Sequence, residues 1–162
     1  MKNKKVQFLT HAAMIAAIYV ILTELFAPIS FSVGQVRIAE ALTILPAFTP
    51  AAIPGLFVGC LVGNIFAGAI LPDIIFGSLA TLIGAYFTYL LRKKNKFLAP
   101  LPPILSNAVI IPLILRYAYG MNYAVGFMIL MVGAGEIISC GVIGMILYSS
   151  LAKHRHKIFR HS

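Results

Sequence analysis

The stretch Ala51-Ala-Ile-Pro-Gly55-Leu-Phe-Val-Gly59-Cys-Leu-Val-Gly63-Asn-Ile-Phe-Ala67-Gly-Ala-Ile70 contains no charged side chain. A helix that spans a membrane needs about 20 consecutive, mostly apolar residues. Small residues also recur at every fourth position, and helices in lipid approach closely where such residues line one face. The stretch therefore predicts a membrane-spanning helix that packs tightly against a neighbour.

The composition of the whole chain supports the same interpretation. Hydrophobic residues make up 60% of the 162 residues and charged residues 10%, whereas soluble domains hold about one half and one quarter. Dividing the sequence at its charges, prolines and polar clusters predicts an all-α integral membrane protein, a six-helix bundle that forms one domain over residues 1–162. The predicted spans lie near residues 6–27, 35–49, 51–70, 73–91, 100–118 and 124–151.

The net charge of +9 would suggest nucleic-acid binding in a soluble protein, but the cations are clustered beside apolar runs. Positive charge at the ends of spans is typical of cytoplasmic loops. Six spans place both termini and the loop between the fourth and fifth spans on one side, and the three basic clusters fall at those places. Both termini are therefore predicted to be cytoplasmic. The clusters are Lys2, Lys4 and Lys5; Arg92, Lys93, Lys94 and Lys96; and Lys153, Arg155, Lys157 and Arg160.

The second predicted span is the weakest. Val36 to Phe48 offers a short apolar run that Pro46 interrupts, with Pro50 and Pro54 close behind. Such a segment is short, tilted, broken or re-entrant, although the parity of the charge clusters favours a full crossing.

The chain has four acidic residues, and three of them, Glu24, Glu40 and Asp73, are predicted toward the outer side. Glu136 lies well inside the sixth span. An ionised side chain at the centre of a bilayer costs about 2.5 to 3.5 kcal/mol on insertion scales. Glu136 is therefore expected to face the bundle interior and meet a partner or a ligand, with Ser139 and Cys140 on the same helix face.

Four other polar residues are candidates for ligand contact. Arg37 lies three residues before Glu40, so the two side chains either neutralise each other or contact a ligand. Asn64 and Asn107 lie within apolar runs, where hydrogen bonding between helices is the simpler interpretation. Tyr117 falls near the outer end of the fifth span, where a tyrosine either anchors the interface or stacks on a planar ligand.

Several chemistries are not indicated. The sequence contains no Gly-x-x-x-x-Gly-Lys-Ser/Thr phosphate loop, no His-Glu-x-x-His metal motif and no Gly-x-Ser-x-Gly nucleophile elbow. We therefore expect neither an enzyme nor a cofactor or metal held by this chain. A self-contained channel or ion-coupled carrier, in which Glu136 exchanges a proton, remains an alternative.

Three runs of sequence resemble the QueT family. The first is Gln35-Val-Arg-Ile-Ala-Glu-Ala-Leu-Thr-Ile-Leu-Pro-Ala-Phe-Thr-Pro-Ala-Ala-Ile-Pro-Gly55, and Asp73-Ile-Ile-Phe-Gly-Ser-Leu-Ala-Thr-Leu82 and Leu101-Pro-Pro-Ile-Leu-Ser-Asn107 continue it. The resemblance extends from about residue 8 to residue 150. It implies the substrate-binding component of an energy-coupling factor (ECF) importer in the bacterial cell membrane, which takes up queuosine precursors.

That resemblance implies the partners and the ligand. The ligand would be a 7-cyano- or 7-aminomethyl-7-deazaguanine, and the partners a membrane coupling subunit and two cytoplasmic ATPases that use ATP. Another small vitamin is the alternative ligand. The pairs Ala12 and Ala16, and Ala13 and Ala17, match the Ala-x-x-x-Ala motif by which the first helix of such components docks on the coupling subunit.

A deazaguanine suggests roles for the candidate residues. One carboxylate, Glu40 or Glu136, would accept the ring N–H and the exocyclic amine together. Arg37 or an asparagine would donate to the carbonyl, Tyr117 would stack on the ring, and Glu24 or Asp73 would bind a cationic aminomethyl group.

Overall fold

A computed structural model describes residues 4–27 and 36–158 of the chain. Gln35, with which the second predicted span begins, and the terminal cations Lys2 and Arg160 lie outside the described residues. The described part is helical and contains no strand. Its helices are α1 (Lys4–Leu25), α2 (Ile38–Ala47), α3 (Ala52–Phe66), α4 (Leu71–Leu91), α5 (Leu101–Tyr117), α6 (Val125–Glu136) and α7 (Gly144–Ile158).

Two connections between these helices are themselves helical. A 3-10 turn, Lys96–Leu98, precedes α5. A π-helical segment, Ile137–Ile143, joins α6 to α7 without a break, so the two helices and the segment form one long rod.

The glycine face of α3 packs against α1, and the two helices run in the same direction. A Cβ built on Gly55 would lie 2.7 Å from the Ala12 carbonyl oxygen, and one built on Gly63 would lie 3.2 Å from Thr23 Oγ1. The contact moves from Ala12 to Thr23 on α1 as it moves from Gly55 to Gly63 on α3, which shows that the two helices are parallel. Because no larger side chain fits at the closest of these contacts, the predicted small-residue face is a packing surface inside the bundle.

Helices α3 to α6 alternate in direction. The α4 residue Thr81 contacts Cys60 of α3, whereas the α3 residue Asn64 contacts Asp73 at the start of α4. Gly84 of α4 lies against Pro103 of α5, and Asn107 of α5 contacts Glu136 at the end of α6. This alternation places the start of α1, the loop after α4 and the end of α7 on one side, in agreement with the parity of the charge clusters.

Helix α2 differs from the predicted span. It is a 3-10 helix of 10 residues, and a rise of about 2.0 Å per residue gives it a length well below the roughly 30 Å of the hydrocarbon core. Every residue from Ala39 to Thr49 is buried. Phe48, the residue after α2, packs against Tyr148 of α7 with 4.7 Å between the centroids of the tilted rings, so α2 runs beside the α6–α7 rod through the interior of the bundle.

Within residues 4–27 and 36–158, four helical segments are long and apolar enough to cross a membrane: Lys4–Leu25, Leu71–Leu91, Lys96–Tyr117 and Val125–His154. Helices α2 and α3 are apolar but shorter. The all-helical membrane bundle that the sequence predicts is therefore present, with two of its segments shortened and packed against the other helices.

Candidate functional site

Two carboxylates from different helices meet in the interior of the bundle. Glu40 of α2 is 0% exposed and Glu136 at the end of α6 is 1% exposed. One carboxylate oxygen from each, together with the Cys140 thiol, lies within 4.8 Å of the others. We call Glu40 and Glu136 the carboxylate pair.

Glu40 receives hydrogen bonds from helices on two sides. The Tyr19 phenol of α1 donates to Glu40 Oε1, and Thr81 Oγ1 of α4 lies 3.4 Å from the same oxygen. The other carboxylate oxygen, Oε2, is buried and has no hydrogen-bond partner among the described residues. Glu40 is thus fixed in place but keeps one oxygen available to a donor.

Glu136 is bound from α5 and from its own helix. Asn107 Nδ2 donates to Glu136 Oε1 at 2.8 Å, and Cys140 Sγ lies 3.1 Å from Oε2. The π-helical segment begins at the next residue and carries the buried Ser139 and Cys140. Such wide turns within α-helices are frequent at functional sites, and here the wide turn lies beside the carboxylate pair.

A second polar group lies between α2, α3 and α4. Arg37, 3% exposed, donates from Nη2 to Asn64 Oδ1 at 2.6 Å, and Asn64 Nδ2 lies 3.4 Å from the Asp73 carbonyl oxygen. We call Arg37, Asn64 and Asp73 the Arg37 group. Cys60 connects it to Thr81 and hence to the carboxylate pair, because its sulfur lies 4.0 Å from Arg37 Nη2 and 3.4 Å from Thr81 Oγ1.

The loop between α5 and α6 closes over the Arg37 group. Tyr119 in this loop donates from its phenol to Asp73 Oδ2 at 3.0 Å, and the Ile70 amide lies 3.5 Å from the same phenol oxygen. Partial burial, followed by the neighbouring Asp73 carboxylate, raises the pKa of Tyr119. The phenol therefore keeps its proton, and its hydrogen bond, at neutral pH.

Four buried polar atoms of this region have no hydrogen-bond partner within the described part of the chain. Buried polar groups are nearly always satisfied in native structures, so several exceptions in one region make it the candidate ligand site. The atoms are Glu40 Oε2, Asp73 Oδ1, Asn107 Oδ1 and Ser139 Oγ.

Five of the eight candidate residues form these two groups, namely Arg37, Glu40, Asn64, Asp73 and Glu136, and a sixth, Asn107, donates to Glu136. Glu24 does not join them, because it is exposed near the end of α1. Tyr117 is 79% exposed and lines an apolar groove of about 600 Å³ between α4 and α5, beside Phe76 and Leu79.

Sequence reasoning missed Tyr19, Thr43 and Thr81, and among the tyrosines near the loop between α5 and α6 it selected Tyr117 rather than Tyr119. Thr43 Oγ1 donates to the Glu40 carbonyl oxygen at 2.5 Å. One signal was present for Tyr19: with Ile15 and Thr23 it forms a four-residue repeat on α1 that is buried throughout.

The alanines of α1 fall on two different faces. Ala12 and Ala16 are partly buried against Gly55 and Gly59 of α3. Ala13 and Ala17 are exposed and face away from this contact. The two predicted Ala-x-x-x-Ala pairs therefore have different surroundings.

Comparisons with known proteins give one match. The family model described as QueT transporter matches residues 9–153. No curated protein and no solved structure matches the chain. Because the match covers nearly all of the 162 residues, this apolar helical bundle belongs to the QueT transporter family, a family of membrane transporters.

Proposed function

We propose that the chain is the substrate-binding component of an ECF-type importer, and that it binds a 7-deazaguanine precursor of queuosine in the enclosed polar region formed by the carboxylate pair and the Arg37 group. The observation that carries the proposal is the set of buried polar atoms that find no partner in the described part of the chain, between helices that otherwise pack closely. Membership of the QueT transporter family supports it.

The Arg37 group suits the polar edge of a deazaguanine. That edge presents a carbonyl, a ring N–H and an exocyclic amine in a row, so it calls for one donor and one carboxylate acceptor. Arg37 and Asn64 supply donors, and Asp73 Oδ1 is an acceptor without a partner. Asp73 is thus our candidate for the N–H edge, in place of Glu40 or Glu136.

The ligand reaches this region, in our proposal, from the side opposite the basic clusters. Tyr119 and its loop cover Asp73 there, and release of this contact uncovers the Arg37 group. The tyrosine ring beside the site is that of Tyr119, whereas Tyr117 faces the groove between α4 and α5.

Binding by purified protein tests this function. Isothermal titration calorimetry with 7-cyano- and 7-aminomethyl-7-deazaguanine should show saturable binding of at least one of them, and Asp73→Asn should weaken it. Glu24→Gln is the matched comparison, since it removes the same charge at an exposed position. Absence of saturable binding of both ligands contradicts the function, and an equal loss in both variants contradicts the assignment of the site.

Transport is proposed to require a coupling subunit and two ATPases, because the sequence has no phosphate-binding loop. The exposed pair Ala13 and Ala17 is the better candidate for docking, since Ala12 and Ala16 contact α3. Both termini and the basic loop after α4 would then face the cytoplasm.

A self-contained carrier is the second candidate, and the complete burial of Glu136 beside Glu40 favours it. A buried carboxylate inside a membrane protein is a common proton site. Liposomes that contain only this chain distinguish the two functions. Uptake of ligand driven by a proton gradient supports the carrier, whereas uptake only with the ATPase partners supports the importer component.

A further inference from the structure

We infer that the ligand carries a positive charge, and that the carboxylate pair, Glu40 and Glu136, binds its cationic group. This inference rests on the proposed function and narrows it: among the two precursors, it selects the aminomethyl compound, which is an ammonium ion at neutral pH, over the uncharged nitrile.

The first argument is the imbalance of buried charge. Four of the described residues carry a formal charge and are buried. Three are acids, Glu40, Asp73 and Glu136, and one is a base, Arg37. An ionised group in a low-dielectric interior is costly unless an opposite charge compensates it. A neutral ligand leaves the acids in excess, whereas a cation reduces the excess.

The second argument is the kind of polar atom that lacks a partner. Of the four such atoms in the described part of the chain, Glu40 Oε2, Asp73 Oδ1 and Asn107 Oδ1 are acceptors, and the fourth, the Ser139 hydroxyl, can accept as well as donate. Asn107 is 2% exposed, and its amide nitrogen already binds Glu136 at 2.8 Å, so its free oxygen lies beside the carboxylate pair. Acceptors without partners call for a ligand that brings N–H donors, and an ammonium group has three.

The third argument is the spacing of the pair. Carboxylate oxygens of Glu40 and Glu136 lie within 4.8 Å of each other. Charge-assisted N–H···O bonds are about 2.8 Å long, and twice that length exceeds the spacing, so one nitrogen can bind both oxygens. The nitrile has no hydrogen to donate and places its negative end toward the carboxylates.

The ligand pair itself is the test, because the two compounds share the ring and differ in the charge of one substituent. The measurement is calorimetry with wild-type protein in nanodiscs of uncharged lipid. We expect the aminomethyl compound to bind roughly ten- to a hundredfold more tightly than the nitrile, which is the gain in affinity that one hydrogen bond to a charged group provides. Equal affinity, or tighter binding of the nitrile, overturns the inference and leaves the proposed function intact. Absence of binding by both ligands overturns the proposed function.

Two isosteric variants test which residues bind the ammonium group. Glu40→Gln and Glu136→Gln should each bring the ratio of the two ligand affinities toward one. The affinity for the aminomethyl compound should fall, while the affinity for the nitrile should change by less than about threefold. An equal loss of affinity for both ligands would indicate that the carboxylate pair binds the shared ring, and would overturn the inference. If a variant does not fold, the ratio of the two affinities in the wild type still tests the inference.

A metal ion is the competing occupant, since two carboxylates and a thiol also form a donor set. Titration of wild-type protein with Zn²⁺ alone separates the two. Saturable zinc binding that Glu136→Gln abolishes would assign the pair to a metal and overturn the inference, whereas absence of such binding supports the organic cation.

Discussion

The side-chain amide of Asn107 on α5 donates a 2.8 Å hydrogen bond to the carboxylate of Glu136 on α6, and both side chains are buried. Asn107→Leu removes this donor at nearly constant volume and leaves Glu136 with fewer partners. Loss of one partner of a buried polar group costs about 1 to 3 kcal/mol. We therefore expect a lower midpoint of thermal unfolding, measured by circular dichroism in detergent.

Asn122→Leu is the matched control, because Asn122 is exposed in the loop between α5 and α6. Its unfolding midpoint should stay close to that of the wild type. Equal midpoints for the Asn107 and Asn122 variants would show that the bond to Glu136 contributes nothing to stability.

The Tyr119–Asp73 contact is expected to control how fast ligand leaves. Tyr119→Phe removes the phenol that donates to Asp73 Oδ2 at 3.0 Å but keeps the ring. We expect an increase in the dissociation rate of bound ligand, measured by rapid dilution, with little change in the unfolding midpoint. Tyr123→Phe, at a neighbouring exposed tyrosine, should leave the rate unchanged. An identical rate in the Tyr119 variant would rule out a gating role.

The hydrogen bond from Tyr119 to Asp73 is expected to persist only while the Tyr119 phenol is protonated. Burial and the Asp73 carboxylate raise the pKa of Tyr119 above the ordinary value of about 10. A group whose pKa is higher in the folded state stabilises that state fully below the unfolded pKa, and this stabilisation is lost as pH rises through the folded pKa. The dissociation rate should thus stay constant from pH 7 to about pH 10 and should rise, in wild type only, once the pH passes the raised pKa of Tyr119. A rise that begins below pH 10, or an equal rise in Tyr119→Phe, would contradict the assignment.

The sequence predicts the topology of this bundle better than the surroundings of its polar residues. Charge clusters and span count predicted the alternation of helices, and the four-residue repeat from Gly55 to Gly63 predicted close packing against a neighbouring helix, which is α1 in the structure. Hydropathy does not show which face of a membrane helix is buried, because lipid and the protein interior are both apolar. Hydropathy therefore gave no reason to select Tyr19, although its phenol donates to Glu40.

Tertiary contacts explain the remaining differences. Helix α2 could not be identified as a buried 3-10 helix, since its surroundings come from α1, α4 and α7, which are distant in sequence. Tyr117 and Tyr119 are two residues apart, but α5 ends at Tyr117. The loop turns at Gly120, which has a φ of 68°, so only Tyr119 reaches Asp73.

Gly59 is expected to be required for the position of Tyr19. A Cβ at Gly59 would lie 2.8 Å from the Tyr19 Cβ and 3.1 Å from the Ala16 Cα. Gly59→Ala should push α1 away from α3, at a cost of about 1 to 3 kcal/mol for overpacking, and should weaken ligand binding through the Tyr19–Glu40 hydrogen bond. Unfolding and calorimetry measure the two effects.

Gly126→Ala is the matched control, because nothing lies within 4 Å of a Cβ built there in α6. Alanine favours a helix over glycine by up to about 1 kcal/mol, so this variant should be as stable as the wild type or more stable. If Gly59→Ala behaved in the same way, α1 and α3 would not pack as closely as described.

The exposed face of α1 is expected to determine assembly with the proposed coupling subunit. Ala13 and Ala17 are exposed, whereas Ala12 and Ala16 face α3. The double variant Ala13→Leu and Ala17→Leu adds bulk outside the bundle, so it should abolish co-purification with the coupling subunit while ligand binding by the isolated chain persists. Ala134→Leu, at an exposed alanine of α6, should affect neither. Ala16→Leu should instead reduce stability, because it adds bulk against Gly59, and retained assembly of the Ala13 and Ala17 double variant would exclude this face as the docking surface.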